Sequence, residues 1–96
     1  MKTYYVYILK CFDKTYYTGF TSDLYSRLAE HNSGKHPDSY TFSRRPVHLV
    51  FYSEFTEASL AIDTEKKIKK WSKAKKEALI NGDFEVLPNL AKKKFN

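Results

Sequence analysis

The sequence has little cysteine and no long apolar segment, and each shortage excludes a class of protein. A single cysteine, Cys11, among 96 residues rules out an intrachain disulfide and a cysteine-rich zinc site, and it suits a reducing compartment. The apolar stretch behind Met1 is too short and too polar for a signal peptide or a membrane span. We therefore expect a cytoplasmic protein with no membrane partner.

What is present points to one folded, basic domain. A hydrophobic content of 42%, with 17% aromatic residues, argues against disorder. The chain has 17 lysines and arginines against 11 acidic residues, which gives a net charge of +6 and favours a polyanionic partner. Much of this excess lies in late lysine-rich segments, which could also be the solvated face of a helix.

Two segments at the start of the chain predict a β-hairpin. Residues 3–10 and 15–20 are rich in aromatic and β-branched side chains, and the segment between them is a short polar turn. Because side chains alternate along a strand, a turn centred on residues 12–13 puts Tyr7 and Tyr17 on the same face. A register slip of one residue would separate them.

The next segment predicts a helix with two faces of different chemistry. It starts at a cap provided by Thr21 or Ser22 and ends at Gly34. At about 100° per residue, Arg27 and His31 lie beside the apolar positions and point toward the same neighbour. The apolar positions, which we expect to face the sheet, are Leu24 and Leu28.

The remaining elements complete the predicted fold. Residues 47–55 are apolar on much of both faces, which indicates a central strand or a strand covered on both sides. One helix follows from a Thr56 cap, and another runs from a Ser72 cap to Gly82.

Together the elements predict an α+β domain at residues 1–82, in which about three helices flank a three-stranded antiparallel sheet. Residues 83–96 form a basic C-terminal tail.

The helix after the third strand places a carboxylate on its apolar side. The stripe consists of Ala58, Ala61, Ile62 and Ile68. Glu65 lies in the middle of this stripe, with Lys69 one turn later. An ionised carboxylate is costly there unless a cation or a hydrogen-bond donor meets it. The alternative is an ordinary surface ion pair between the two residues, worth about 0.2–0.5 kcal/mol.

Five residues, taken in order, resemble the GIY-YIG nuclease domain. The first signature of that family is matched by Tyr5–Tyr7 ("YVY") and the second by Tyr17–Gly19 ("YTG"), while Arg27, His31 and Glu65 match its later positions. Tyr5 stands where the family has glycine, and Thr18 where it has isoleucine. The likeness covers roughly residues 3 to 80 and is similar to the small single-domain bacterial branch.

This resemblance implies a GIY-YIG endonuclease-like fold and a DNA endonuclease that depends on a divalent metal, with a role in DNA repair or recombination. It implies a single Mg²⁺ or Mn²⁺ site at Glu65 and Tyr7 as general base. Tyr17 and His31 would hydrogen-bond to Tyr7 or orient the water, and His31 could instead relay a proton. Arg27 would bind the scissile phosphate.

Other basic residues are candidates for the rest of the substrate. Arg44, Arg45 and Lys69 could hold flanking phosphates of a branched, nicked or single-stranded DNA, with RNA as the other possible nucleic acid. Two further functions fit the sequence. One is a non-catalytic nucleic-acid-binding module of the same fold. The other is an accessory interaction protein of a repair assembly that docks through the tail.

Overall fold

The computed structural model describes residues 2–83, and the predicted α+β fold is confirmed there. The elements, in chain order, are the strands and helices β1 (Tyr4–Lys10), β2 (Tyr16–Thr21), α1 (Leu24–Ser33), β3 (His48–Phe55), α2 (Ala58–Lys69) and α3 (Lys73–Asn81), with a short 3₁₀ turn at Phe42–Arg44. Apart from Asp83, the predicted tail lies outside the described residues. No helix within the described range is long and apolar enough to cross a membrane.

The three strands form one antiparallel sheet in the order β2-β1-β3. In the hairpin, Tyr7 lies opposite Gly19 and Leu9 lies opposite Tyr17. Since Tyr7 and Leu9 are two residues apart, their side chains and that of Tyr17 share one face of the sheet. The predicted placement of the two tyrosines is therefore confirmed.

The prediction of a central third strand is wrong, and its alternative, a strand covered on both sides, holds only in part. β1 is the central strand, and β3 pairs only with β1 among the described strands. On one face β3 packs Phe51 and Phe55 against the core. On the other face Leu49 packs against a second apolar cluster, whereas Tyr52 remains 52% exposed, so this face of β3 is only partly covered.

Apolar residues pack on both faces of the sheet. On one face Val6 and Ile8 of β1 pack against Ala61, Ile68 and Leu79 from the last two helices. On the other face, a second cluster around Tyr7 packs against α1. Its members are Tyr7, Leu9, Cys11 and Val47, together with Leu24 and Leu28 of α1, which face the sheet as predicted. Burial of each large side chain stabilises the fold by about 1.5–3 kcal/mol.

Several predicted helix ends are confirmed. Gly34 and Gly82 both adopt the left-handed conformation that ends α1 and α3, with φ values of 75° and 76°. The side chain of Ser72 accepts a hydrogen bond from the backbone N–H of Lys75, as expected for an N-cap.

The predicted starts of α1 and α2 are wrong. The cap of α1 is Asp23, whose carboxylate accepts from the N–H of Ser26 at 3.1 Å. Thr21, one of the predicted caps, ends β2, and its hydroxyl oxygen accepts from the N–H of Asp23. α2 starts after Glu57, which makes no side-chain capping bond, and not after Thr56.

The buried stripe of α2 is narrower than predicted. Ala61 and Ile68 are buried, whereas Ile62 is 36% exposed. These two buried residues point in nearly the same direction, and Ile62 lies about 100° away from Ala61 around the helix. The expectation that Ile62 faces the core is therefore wrong, and α2 is rotated so that Glu65 borders the core.

Candidate active site

Tyr7 lies at the centre of the candidate site. It is only 1% exposed, and its hydroxyl is 2.9 Å from Nε2 of His31. Its ring lies directly against Gly19, where an added Cβ would overlap the end of the ring. The glycine of the second signature thus has a steric reason, because any larger residue would displace Tyr7.

His31 lies between Tyr7 and a loop residue that the sequence analysis did not identify. Its Nδ1 is 2.8 Å from the hydroxyl oxygen of Thr41, which is fully buried. That oxygen is 3.1 Å from the hydroxyl of Ser39. The predicted contact between His31 and Tyr7 is present, and it is the start of a longer chain of hydrogen bonds.

Burial dominates the electrostatics of Tyr7 and His31. Burial raises the pKa of Tyr7 well above its usual value, and the neighbouring Tyr17 and Glu65 raise it further, while Arg27 lowers it. Burial also lowers the pKa of His31, and the positive charge of Arg27 acts in the same direction. Both side chains are therefore neutral at pH 7, and Arg27 alone does not produce a phenolate.

Tyr17 covers one side of this pair with its ring. Ring centroids are 6.3 Å apart for Tyr17 and Tyr7, and 5.1 Å apart for Tyr17 and His31. Tyr17 also stacks on Tyr40, with 6.1 Å between the ring centroids. The ammonium group of Lys69 lies 5.7 Å from the centroid of the Tyr17 ring. Tyr17 therefore connects the buried pair with the cationic surface of α2.

Arg27 approaches the site from α1. It is close enough to Tyr7 to stabilise its anion. It also forms an ion pair with Glu30, with 3.5 Å between Nε and the carboxylate oxygen. Because the guanidinium is partly exposed, it has donors left for a phosphate group.

Glu65 points inward, and its side chain is only 13% exposed. One carboxylate oxygen is 3.2 Å from Nζ of Lys69, which is itself mostly exposed. The pair has the spacing of an ordinary helix ion pair, but its acidic member lies in the site and not in open solvent. Its negative charge is among those that act on Tyr7.

The donor set suits a hard divalent cation of the Mg²⁺ type. Within residues 2–83 there is no cluster of three or more histidine, cysteine or acidic side chains. Glu65 supplies a carboxylate oxygen in a sheltered position, and the ammonium group beside it belongs to the exposed side chain of Lys69. Mg²⁺ commonly uses one or two carboxylates and keeps several waters, so these residues fit such an ion.

The two predicted loop arginines contact their own loop, and Arg44 also contacts the turn of the first hairpin. The guanidinium of Arg44 donates to Asp13 at 3.0 Å and to the carbonyl oxygen of Tyr40, and it lies 3.9 Å from the centroid of the Tyr40 ring. Arg45 donates to the carbonyl oxygen of Phe42 and stacks on its ring. These contacts hold the loop that carries Tyr40 and Thr41. A phosphate-binding role for either arginine stays a prediction.

A second residue that was not predicted fixes α1 in place. The side-chain amide of Asn32 donates to the carbonyl oxygen of Val47 and accepts from its N–H. Asn32 thereby attaches the end of α1 to the segment before β3. No periodicity marks Asn32 or Thr41 in the sequence, because each acts through one pairwise contact with a distant segment.

This fold is that of a nuclease-type domain. The family model of the GIY-YIG catalytic domain matches residues 3–78, and the chain belongs to this family of endonucleases. The chain is 51% identical over 80 residues to a UPF0213 protein from Syntrophus aciditrophicus, a match that covers 83% of this chain and 92% of the relative.

Solved structures agree with the fold. The chain is 40% identical in sequence to a UPF0213 protein from Bacillus halodurans, whose solution NMR structure matches this fold with a TM-score of 0.54. The match covers 82% of this chain and 83% of that one. The chain is 34% identical in sequence to an E. faecalis protein, whose solution NMR structure matches with a TM-score of 0.60. This match covers 85% of this chain and 86% of the E. faecalis protein.

Proposed function

We propose that this protein is a DNA endonuclease that hydrolyses phosphodiester bonds with the help of one divalent metal ion. The observation that carries this proposal is the convergence of Tyr7, His31 and Tyr17 in hydrogen-bond or ring contact, with Arg27 and an inward Glu65 close enough to act on Tyr7. Family membership supports the reaction class. We further propose Mg²⁺ or Mn²⁺ as the ion, and a cytoplasmic role in DNA repair or recombination.

Tyr7 is proposed as the general base and His31 as its proton acceptor. A neutral buried phenol is a poor base, since its O–H bond must break before it can accept a proton from water. Nε2 of His31, at 2.9 Å, is placed to receive that proton. Tyr17 packs against both rings and limits their movement.

Arg27 and Glu65 are proposed to handle charge. The planar guanidinium of Arg27 suits a forked contact with the scissile phosphate. Glu65 would hold the metal ion, which when bound would neutralise charge that develops on the phosphate and the leaving oxygen. Lys69 would then release Glu65 and contact a flanking phosphate. Arg44 and Arg45 would contribute through their remaining N–H groups.

We propose a preference for DNA shape over DNA sequence. The residues proposed to bind the substrate would contact phosphate groups, and such contacts position a strand without reading its bases. Branched, nicked or single-stranded DNA would bring a flexible phosphate to the site, and RNA is the competing substrate to include in any assay.

The test is a cleavage assay with matched variants. Purified protein is incubated with supercoiled, branched and single-stranded DNA, with Mg²⁺, Mn²⁺ or chelator. Tyr7→Phe and Glu65→Ala should each lower metal-dependent cleavage at least about 100-fold. Tyr25→Phe, at an exposed tyrosine, and Asp63→Ala, at an exposed carboxylate on α2, should cut like the wild type. Equal cutting by all five proteins would refute the assigned site.

A non-catalytic DNA-binding module is the second candidate. The observation that favours it is the near-complete burial of Tyr7, which raises its pKa. This candidate predicts salt-sensitive DNA binding with no cleavage under any metal ion, and binding that survives Glu65→Ala. Any metal-dependent cleavage lost in Tyr7→Phe excludes it.

A further inference from the structure

The direction of the hydrogen bonds through His31 follows from where the hydroxyl proton of Tyr7 can go. Tyr7 is neutral, so its hydroxyl has a proton to donate. Among the described residues, the acceptor in hydrogen-bond contact with it is Nε2 of His31, whereas Arg27 can only donate. Tyr7 therefore donates to Nε2, and Nε2 carries no proton.

The remaining contacts of His31 follow from this assignment. A neutral imidazole has one N–H, so the proton of His31 is on Nδ1 and is donated to the hydroxyl oxygen of Thr41 at 2.8 Å. The hydroxyl proton of Thr41 then points to Ser39, whose oxygen is 3.1 Å away. Ser39 is half-buried, so the chain runs from the buried phenol toward the surface.

We propose that Thr41 is a positioning residue that fixes His31 in its Nδ1–H tautomer, and that Ser39 supports it by accepting the hydroxyl proton of Thr41. Its importance for cleavage rests on the proposed function. When the Oη–H bond of Tyr7 breaks and an Nε2–H bond forms, the products are a phenolate and an imidazolium. Thr41 accepts the Nδ1–H bond before and after this transfer, and so stabilises the imidazolium, as a base-orienting group does in other nucleophile–base pairs.

The other tautomer would work against this chemistry. With the proton on Nε2, His31 would donate to Tyr7 and have no lone pair there to receive a proton. Thr41 would have to donate to Nδ1, and Tyr7 would lose the acceptor for its own proton. Ser39 supports the Nδ1–H arrangement, because its oxygen offers an acceptor for the hydroxyl proton of Thr41.

The first test is ¹⁵N NMR of the histidine rings in the wild type, Thr41→Ser, Thr41→Val and Ser39→Ala. In the wild type and Thr41→Ser, His31 should show a protonated Nδ1 and an unprotonated Nε2. Thr41→Val should lose this preference, and Ser39→Ala should show a detectable share of the Nε2–H form. His36 and His48, both exposed, provide reference signals within the same spectra.

The second test is cleavage kinetics. Thr41→Val should lower kcat about 10- to 100-fold at unchanged KM, and Thr41→Ser should restore the rate to within about 3-fold of the wild type. A protonated Nε2 in the wild type, or an unchanged tautomer in Thr41→Val, would overturn the proposal. If Thr41→Val does not fold, the wild-type and Ser39→Ala spectra decide the matter. Absence of cleavage by the wild type would refute the proposed function, while the spectra still decide the role of Thr41.

Discussion

Replacement of Gly19 by alanine tests the link between the sheet and the site most directly. A Cβ at this position would overlap Cζ and the hydroxyl oxygen of Tyr7, and would lie 2.8 Å from Cε1. Tyr7 is surrounded by packed residues, so its ring has little space to move away. We expect the ring to tilt and its 2.9 Å hydrogen bond with His31 to break.

The expected cost is the sum of two effects. Overpacking in a close-packed region costs about 1–3 kcal/mol, and loss of the hydrogen bond costs about 0.5–1.5 kcal/mol. Alanine has less backbone freedom than glycine in the unfolded chain, which offsets about 0.4–1 kcal/mol of this loss of stability. Gly19→Ala should therefore lower the free energy of unfolding by about 0.5–4 kcal/mol, measured by urea unfolding followed by fluorescence. Displacement of the proposed base should reduce DNA cleavage about 100-fold.

Gly82→Ala is the control for this prediction. An added Cβ at Gly82 has no atom within 4 Å, but the φ of +76° is strained for alanine and costs about 1–2 kcal/mol. This variant should lose stability while it keeps full activity. The double variant Gly19→Ala/Tyr7→Phe should lose less stability than the sum of the single changes, because the phenylalanine lacks one of the clashing atoms. A Gly19→Ala protein with wild-type stability and cleavage would refute the reasoning.

Three further predictions concern single groups. Thr18→Val should stabilise the protein by about 1 kcal/mol in urea unfolding, because the buried hydroxyl of Thr18 has no hydrogen-bond partner among the described residues. Thr21→Val should destabilise the protein, because the Thr21 hydroxyl forms hydrogen bonds with the backbone of Asp23 at the start of α1. Burial lowers the pKa of His31, so the unfolded chain binds this proton more readily than the folded chain, and stability should be full above about pH 6.5 and fall as the pH drops below it. His31→Gln should reduce this slope in urea unfolding, and a slope equal to that of the wild type would contradict the burial of His31. Lys69→Gln should weaken DNA binding about equally across DNA sequences. It should also reduce the slope of log affinity against log salt concentration by about 1, measured by fluorescence anisotropy. An unchanged slope would show that Lys69 does not contact the DNA.

The parts of the fold that depend on local rules were predictable from the sequence. Strand alternation put Tyr7 and Tyr17 on one face, and the two leucines of α1 face the sheet. Gly34 and Gly82 were recognisable as helix ends because few other residues adopt a left-handed conformation at low cost.

The errors share a physical cause, since each depends on neighbours that are distant in sequence. Tyr52 and Ile62 are apolar yet exposed, because the width of the sheet and the rotation of α2 decide which side is covered. The N-cap of α1 is Asp23 and not Thr21, because Thr21 is still paired with β1. Likewise, Thr41 became part of the site only when an irregular loop folded over His31.

The rotation of α2 has a consequence for how this protein can change over time. The same helix buries Ala61 and Ile68 in the core and presents Glu65 to the site, and it is too short and too firmly packed for the two sides to adjust separately. A larger or smaller residue beneath it would shift the carboxylate along with the backbone. Selection for the proposed nuclease site would therefore extend to aliphatic positions that never meet a substrate, and repacking designs should hold those positions constant.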